Sequence, residues 1–478
     1  MNRHKQPEPI NGRTMTQYAS DPWRPAFHIA PRTGLLNDPN GLVYWDGAYH
    51  IFYQWNPHDC THANKNWAHA VSHDLVRWEE LPIALTPEDT FDSHGCYSGS
   101  AVADGQELVL IYNGNVRDAD GTRQTYQCLA RSTDGVHFQK LGPVLSGPLP
   151  GYTAHFRDPK VWRDNGEWLM VLGAQTAALE GTVLLLRSPD LVSWTLVREL
   201  LAPGEFGYMC ECPDYFCIGE NDLLIFCEQR SEGGIDSNLA GYVPGVLSVT
   251  TRHTAFRRLD HGRDFYAPQT FEAPDGRRLM LAWMGLPEQG DAPSTAFGWM
   301  HCLTLPRELS VVGGRLRQSP ARELVALRKS HLGSYGLAVS GTMDLVDARS
   351  DTFELGLAWP EPASGVAKGT ASCRSFTIDM RVGGIERTTL ALDFAARSLR
   401  LETVRPDGVI QDLGHADFPA DVAVCDLRIF VDRSSVEVFA AGGALVLSAR
   451  VFPSPGAEDL RIRADGTLTL DRLDVWKI

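Results

Sequence analysis

The chain has 478 residues, of which 43% are hydrophobic and 22% are charged, and its formal net charge is −15 at pH 7. This length favours more than one domain, and the acidic balance argues against nucleic acid or an anionic membrane surface as a partner. The first residues contain no apolar signal-peptide core, and no run approaches the roughly 18 apolar residues of a membrane span.

The ten cysteines are scattered along the chain, and several of them stand inside apolar runs. Such cysteines are typical of buried, reduced thiols, so a cytoplasmic protein is predicted. Cys210 and Cys212 form a C-x-C pair without a second pair of cysteines or histidines at ligand spacing. Neither a metal site nor a cofactor is therefore predicted.

Residues 1–20 are predicted to form a loose tail. The first strong signal is the segment Leu35–Gly41, whose Asn-Asp-Pro-Asn-Gly core restricts the backbone and tolerates left-handed geometry. We interpret this segment as a tight turn that leads into a β-hairpin over Leu42–Gln54. Asp38 would then be held on a stiff turn at the mouth of a strand.

The same construction recurs down the chain, because five segments each place a polar or charged side chain just before a predicted hairpin. Successive segments begin about 53–60 residues apart. The segments are Asp38–Gly47, Ser98–Gly105, Arg157–Gly166, Glu211–Phe216 and Tyr266–Gly276. A second repeat lies between them and is predicted to be the turn before each unit's outer strand, at Ser72–Trp78, Ser132–Phe138 and Ser188–Trp194.

Five units of four strands predict an all-β fold that begins with a five-bladed β-propeller over residues 21–309. Parallel βαβ units are excluded, because no amphipathic stretch of about 10–15 residues separates the strands. Equivalent positions in a propeller lie at the same depth around one axis. Asp38, Ser98, Asp158 and Glu211 should therefore converge at one end of the channel, and three converging carboxylates indicate a functional site.

The repeat ends after residue 309. Residues 310–335 are interpreted as a linker with some helical character, and the alternating strands of residues 336–478 predict a C-terminal β-sandwich. No cluster in this second domain suits catalysis, and Asp432–Ser435 is most simply a hairpin turn.

Two carboxyl groups that face one bond, one ionised and one protonated, are the usual equipment for glycoside hydrolysis. Glu211 stands in an apolar Cys-Glu-Cys setting, which would raise its pKa and suit a general acid. Asp38, on a turn rich in backbone N–H groups, would stay ionised as a nucleophile. Asp158 beside Arg157 would also stay ionised and would hold substrate hydroxyls. Aromatic side chains suited to the apolar faces of a sugar are Trp67, Tyr97 and Trp283.

Six motifs carry a resemblance to a known family; they are Asn37–Gly41, Phe52–Pro57, Tyr97–Ser100, Phe156–Lys160, Glu211–Asp214 and Asp264–Gln269. In these motifs the chain resembles the β-fructofuranosidases of glycoside hydrolase family 32. The resemblance implies Asp38 as nucleophile, Glu211 as acid/base and Asp158 as stabiliser of the transition state. The predicted substrate contacts in these motifs are Asn37, Gln54, Ser98, Arg157 and Tyr266.

Within that family, the segment His62–His69 resembles the intracellular sucrose and sucrose-6-phosphate hydrolases of bacteria. The expected partners are sucrose, its 6-phosphate and short fructo-oligosaccharides, and a homo-oligomer is compatible with the sequence. For a phosphorylated substrate, His62 and Lys65 are the predicted cations at the rim on the glucose side. Cys210 stands where the family frequently has Trp, which changes the surroundings of the leaving group.

Three alternatives stay open at this point. An exo-acting levan or inulin hydrolase would use the same residues, although polymer substrates favour secretion. An inverting pentosidase on the same propeller would hold its carboxyl groups about 6.5–9.5 Å apart, against about 5–5.5 Å in a retaining enzyme. A sugar-binding homologue without activity is disfavoured because all three carboxylates are present.

Overall fold

The computed structural model describes residues 21–232, 235–247, 256–360 and 373–478. The predicted tail, residues 1–20, lies outside the described residues. In the described ranges the chain consists almost entirely of strands, with short 3₁₀ helices at Pro293–Phe297, Arg322–Leu327 and Val346–Ala348. None of these helices is long and apolar enough to cross a membrane.

The first part of the chain forms five sheets of four or five strands, which are the blades of a propeller. The predicted five-bladed β-propeller is confirmed. Its strands are β1 Gly34–Trp45, β2 Ala48–Asn56, β3 Asn66–Ser72, β4 Glu79–Leu85, β5 Cys96–Asp104, β6 Glu107–Arg117, β7 Arg123–Ser132, β8 Gln139–Leu145, β9 Tyr152–Asp164, β10 Glu167–Thr176, β11 Gly181–Ser188, β12 Thr195–Glu199, β13 Met209–Ile218, β14 Asn221–Glu232, β15 Ile235–Pro244, β16 Arg257–Arg258, β17 Tyr266–Glu272, β18 Arg278–Met284, β19 Trp299–Met300, β20 Cys302–Leu303, β21 Arg307–Val312 and β22 Arg315–Pro320.

The first strand of every blade lies innermost. These strands, β1, β5, β9, β13 and β17, contact one another in a closed ring. The ring is completed beyond the fifth blade, where β19 pairs in parallel with β1. Because β19 comes from the end of the propeller and β1 from its beginning, this pairing joins the last blade to the first.

The second sequence repeat forms the same turn three times, between the third and fourth strands of the first three blades. The Oδ1 of Asp74 accepts hydrogen bonds from the backbone N–H groups of Val76 and Arg77 at 3.0 and 2.8 Å. Asp134 and Asp190 accept the equivalent bonds in their own turns. Each aspartate satisfies two N–H groups that no strand partner reaches, so the predicted turn is confirmed.

The second domain is a single sheet of ten strands, and the predicted β-sandwich is confirmed. The sheet curls until its end strands β28 and β31 contact each other around a core that includes Leu355, Ile378 and Leu447. Its strands are β23 His331–Asp344, β24 Phe353–Ala358, β25 Ser375–Gly383, β26 Glu386–Asp393, β27 Ser398–Val404, β28 Ile410–Asp417, β29 Asp426–Asp432, β30 Ser435–Ala440, β31 Leu445–Arg450 and β32 Asp459–Lys477.

The predicted domain limits, at residues 309 and 336, stay predictions. Strands β21 and β22 complete the fifth blade and β23 begins at His331, so strands occupy much of the segment interpreted as a linker. A Gly-Gly pair forms the hairpin turn between β21 and β22. In the sequence, such a pair is equally typical of a linker between domains. The 3₁₀ helix Arg322–Leu327 agrees with the helical character expected there.

A buried charge network joins the two domains. The ring of His28, ahead of β1, places Nδ1 at 2.8 Å from Asp432 Oδ2 and Nε2 at 3.0 Å from Glu437 Oε1. Arg307, at the start of β21, donates to Glu437 at 2.5 Å and to Asp260 at 3.0 Å. Burial alone would lower the pKa of His28, but its hydrogen bonds to the two carboxylates and their charges raise it to about 9. His28 therefore carries both ring protons and a positive charge.

The pKa of His28 gives stability a pH dependence. The contribution is complete below the ordinary value of 6.5 and is lost as the pH rises through about 9, because the proton then leaves the folded protein as well. We expect His28→Gln to lower the free energy of unfolding by about 3 kcal/mol near neutral pH, and by less in alkaline buffer. Urea unfolding across this pH range measures the difference. His73→Gln, at an exposed histidine, is the control; a pH-independent loss in His28→Gln would contradict the assignment.

Candidate active site

The inner strand of every blade carries a β-bulge at the motif residues. In β1 the pairing with β2 shifts between Leu36 and Pro39, and equivalent shifts occur in β5, β9, β13 and β17. A bulge interrupts the ladder and re-aims a side chain. The segment Leu35–Gly41 is thus part of a bulged strand, and its interpretation as a tight turn is wrong.

Prolines accompany four of the five bulges, because proline has no N–H to lose from a ladder. They are Pro39, Pro159, Pro213 and Pro268. The residues before three of them, Asp158, Cys212 and Ala267, have left-handed φ values of 68°, 47° and 47°. Each such non-glycine residue costs about 1–3 kcal/mol and persists only where the surrounding structure enforces it, a pattern typical of functional sites.

Asp38 is surrounded by side-chain donors. Its Oδ1 accepts a hydrogen bond from Asn37 Nδ2 at 3.1 Å, and its Oδ2 accepts from Ser98 Oγ at 2.5 Å and Gln54 Nε2 at 3.3 Å. The donors are therefore side chains, whereas the turn interpretation expects backbone N–H groups. Burial raises the pKa of Asp38, the Ser98 hydrogen bond offsets part of this rise, and the charge of Glu211 adds to it.

Glu211 faces a cation rather than an apolar pocket. Arg157 donates from Nη2 and Nε to Glu211 Oε1 at 2.6 and 3.1 Å, and the Tyr266 hydroxyl donates to Oε2 at 2.7 Å. Cys210 instead packs into the hydrophobic cluster behind the strand. The expected apolar setting of this carboxyl group is therefore wrong, because adjacent residues of a strand point to opposite faces.

Asp158 interacts electrostatically with both of the other carboxyl groups. Its Oδ2 accepts a hydrogen bond from the backbone N–H of Cys212 at 3.0 Å, and Arg157 Nε is 3.8 Å away. Arg157 is thus closer to Glu211 than to its sequence neighbour. Burial raises the pKa of Asp158, the Arg157 charge lowers it, and the charges of Glu211 and Asp38 raise it further. The expectation that Arg157 keeps Asp158 fully ionised neglects this burial.

Lys65 lines the pocket from a buried position. Its ammonium donates to Asn37 Oδ1 at 2.5 Å and lies 3.3 Å from His62 Nδ1, and the residue is only 3% exposed. Burial lowers the pKa of Lys65 to about 7, although the charge of Asp38 raises it. The predicted position at the rim on the glucose side is wrong, because the loop folds inward and the ammonium orients Asn37.

A pocket of about 260 Å³ collects most of the predicted residues at one end of the channel. It is lined by Asn37, Asp38, Gln54, His62, Lys65, Tyr97, Arg157, Asp158, Glu211, Tyr266 and Trp283. Ser98 lies directly behind this lining, buried and bound to Asp38. Trp67 is fully buried, donates from Nε1 to the Tyr97 carbonyl at 3.0 Å, and packs against Phe52. Its prediction as a substrate contact is therefore wrong, since it supports the pocket from the core.

Three further residues line the pocket and lie outside every motif. They are Arg123, Gln229 and Pro287. Arg123 opens β7 and Gln229 lies on β14, and neither strand is the inner strand of its blade. Their positions beside the carboxylates could have been predicted only from the order of the strands within each blade, because no motif marks them in the sequence.

A second polar layer fills the channel below the carboxylates. Lys160 Nζ lies 3.0 Å from Asp214 Oδ2, which also accepts a hydrogen bond from the Thr270 backbone N–H at 2.6 Å. Lys160 and Thr270 line a separate cavity at the other end of the channel. This layer separates the two ends, so the carboxylate pocket is blind.

The arrangement suits acid/base and nucleophilic chemistry on a polyhydroxylated molecule. Asp38 and Glu211 are carboxyl groups in different surroundings, one held by neutral donors and the other by a guanidinium. Amide, hydroxyl and guanidinium groups around them match sugar hydroxyls. Among the residues described, no group of three or more His, Cys, Asp and Glu side chains is placed to hold a metal ion.

The chain is similar to known proteins over nearly its whole length. A sucrose-6-phosphate hydrolase of Bacillus subtilis (strain 168) is 42% identical over 480 residues, covering 96% of this chain and 95% of that protein. The sucrose-6-phosphate hydrolase structure from Lactobacillus gasseri has a TM-score of 0.83 at 28% identity, covering 97% of this chain and 94% of that one. A GH32 β-fructofuranosidase of Bombyx mori has a TM-score of 0.80 at 31% identity, covering 96% and 94%.

The two domains match two family descriptions in sequence order. The Glycosyl hydrolases family 32 N-terminal domain matches residues 28–320, and the Glycosyl hydrolases family 32 C terminal domain matches residues 323–477. The first match spans the five blades and the second spans the curled sheet. The chain therefore belongs to glycosyl hydrolase family 32.

Proposed function

We propose that the protein is a retaining glycoside hydrolase that releases terminal β-D-fructofuranosyl residues from sucrose or sucrose-6-phosphate. One observation carries the proposal: a donor-bound Asp38 and an Arg157-bound Glu211 share one blind pocket. The relatives support the substrate, because the Bacillus subtilis and Lactobacillus gasseri proteins are named sucrose-6-phosphate hydrolases and a Bombyx mori mutant is described in complex with sucrose.

Asp38 acts as the nucleophile in this reaction. Its carboxylate forms a bond to the anomeric carbon of the fructosyl unit while Glu211 gives its proton to the leaving glycosidic oxygen. Glu211 then takes a proton from water, and the water oxygen displaces Asp38 from the opposite face, the one that the leaving group vacated. Asn37 and Ser98 hold the attacking carboxylate in place, which lowers the entropy cost of the step.

Asp158 and Arg157 stabilise the transition state. Both are buried in the pocket, so their interactions with ring hydroxyls act at low dielectric. A hydroxyl that binds more tightly as the ring flattens lowers the barrier rather than KM. Tyr97 and Trp283 supply apolar surface beside these polar groups.

The blind end of the pocket favours exo action. The second polar layer leaves no exit beneath Asp38. Only a terminal residue can enter such a pocket, so sucrose, its 6-phosphate and the ends of short fructo-oligosaccharides fit, whereas internal residues of a chain do not. An exo-acting levan or inulin hydrolase would also accept only terminal residues. The two functions therefore differ in the leaving group, which is glucose or glucose-6-phosphate for the proposed function and a fructan chain for the alternative.

A cytoplasmic location is supported by thiols in the catalytic layer. Cys212 Sγ lies 3.8 Å from Asp38 Oδ2, and Cys227 Sγ accepts a hydrogen bond from the Ala267 backbone N–H. Oxidation of either sulfur would add bulk and polarity beside the nucleophile. A reducing compartment keeps this layer intact.

Burial raises the pKa of Asp38, and the charge of Lys65 offsets part of that rise, so Lys65 contributes to the position of the acid limb of the activity profile. Below pH 7 the ammonium is charged and lowers the pKa of Asp38, which must be ionised to attack. We expect Lys65→Met to move the acid limb of kcat/KM upward by about one pH unit. A pH profile on sucrose measures this shift, and the exposed Arg187→Gln variant controls for net charge. An unmoved limb in an active Lys65→Met enzyme would refute the role.

Glu211→Gln tests the general acid. We expect kcat on sucrose to fall by about 10²–10⁴-fold, because the leaving oxygen is no longer protonated. A fructoside whose leaving group departs without a proton should lose much less. Near wild-type turnover on sucrose would exclude Glu211 as the acid.

The stereochemistry of the first product tests the nucleophile. Two displacements at the anomeric carbon return the original configuration, so β-fructofuranose should form first. Proton NMR in the first minutes of hydrolysis detects it before mutarotation. Initial release of the α-anomer would falsify the double displacement and favour the inverting alternative. Asp38→Ala should lose nearly all activity while its melting temperature stays within a few degrees of wild type.

A further inference from the structure

Two arginines face each other at the outer end of the second blade. Arg117 ends β6 and Arg123 begins β7, and the two residues are direct partners in the antiparallel pairing. Like charges placed opposite each other destabilise a sheet. In the part of the chain that the structure describes, neither guanidinium forms an ion pair with a carboxylate, and the Arg117 guanidinium donates to the Gly121 carbonyl at 3.3 Å.

This arginine pair lies above the catalytic level. Tyr97 in the pocket wall pairs with Asn113 on β6, so Arg117 stands four residues further along the same strand. That separation corresponds to about 13 Å along the strand. The hairpin between β6 and β7 therefore projects past the carboxylates on the open side of the pocket.

Arg123 connects the pair to the chemistry. It lines the pocket together with Glu211, and its electrostatic neighbours are Arg157, Tyr97, Arg117 and Glu211. Asp38, on the first blade, and Lys65, on the loop after β2, are not among its strongest electrostatic neighbours. Because Glu211 protonates the leaving oxygen, the group beyond Glu211 is the leaving hexose. Arg123 and Arg117 consequently lie on the side of the leaving group.

The surroundings of Arg123 favour binding of an anion. Its guanidinium is partly buried beside the ion-paired Arg157, and Glu211, the carboxyl group among its strongest electrostatic neighbours, is already held by Arg157 and Tyr266. His155 adds no negative charge, because its Nδ1 accepts a hydrogen bond from Arg157 Nη1 at 2.8 Å. A planar guanidinium with unused donors binds phosphate oxygens in bidentate fashion.

We propose that Arg123, with Arg117 behind it, binds the phosphate group of a 6-phosphorylated leaving hexose. The proposal rests on the function proposed above, since it assumes that the fructosyl unit occupies the pocket beside Asp38. It replaces Lys65 as the phosphate-binding cation, because the ammonium of Lys65 is buried beside the nucleophile and donates to Asn37. The two arginines thus make the enzyme select phosphorylated over free sucrose.

The test compares two substrates on matched variants. For wild type, Arg123→Gln, Arg123→Lys and the Arg117→Gln/Arg123→Gln double variant, kcat/KM is measured on sucrose-6-phosphate and on sucrose. We expect the ratio of the two values to fall about 10- to 100-fold in Arg123→Gln, further in the double variant, and to recover partly in Arg123→Lys. Arg187→Gln, an exposed strand arginine outside the pocket, removes the same charge and should leave the ratio unchanged.

Product inhibition gives a second readout. Glucose-6-phosphate should inhibit wild type competitively, and the double variant should lose this inhibition while inhibition by fructose stays. A ratio that does not change in the arginine variants would overturn the phosphate site while sucrose hydrolysis by wild type upholds the proposed function. If wild type hydrolyses neither substrate, the proposed function fails and the phosphate site fails with it. Thermal melts confirm that every variant compared is folded.

Discussion

Five bulged strands that meet around one axis are the constraint on which the rest of the structure depends. Each bulge turns one motif side chain into the channel, so Asp38, Asp158 and Glu211 meet although they come from three different blades. The ladders on both sides hold the left-handed backbone of Asp158 and Cys212 in place. The same constraint concentrates three carboxyl groups, and burial together with their mutual repulsion raises the pKa values of Asp38 and Asp158.

Three buried cations offset this concentration of negative charge. Lys160 pairs with Asp214 in the layer below, Lys65 orients Asn37 beside the nucleophile, and Arg157 holds Glu211. Each of these cations is buried and hydrogen-bonded, and Lys65 and Arg157 also line the pocket. A formal net charge of −15 thus coexists with a pocket that is lined by both cations and carboxylates.

The sequence predicts the propeller and the three carboxylates because both follow from a repeat whose local chemistry is visible in each copy. It does not distinguish a bulge from a turn, since Asp, Asn, Pro and Gly favour both. Trp67 beside a motif looks the same whether it faces a sugar or the core. The position of Lys65 depends on how one loop folds, and Arg123 reaches the pocket only through a hairpin on the second and third strands of a blade.

The C-terminal sheet holds the closure of the ring from outside the propeller. His28 precedes β1, Leu305 follows β20 and Arg307 begins β21; all three bind Glu437 of the second domain. One buried carboxylate therefore ties the beginning of the propeller to its end, across 409 and 132 residues of sequence. Such contacts carry no local signal, so Asp432–Ser435 looks like a simple hairpin turn in the sequence. Because β1 carries Asp38 and pairs with β19, holding this junction also holds the nucleophile in register.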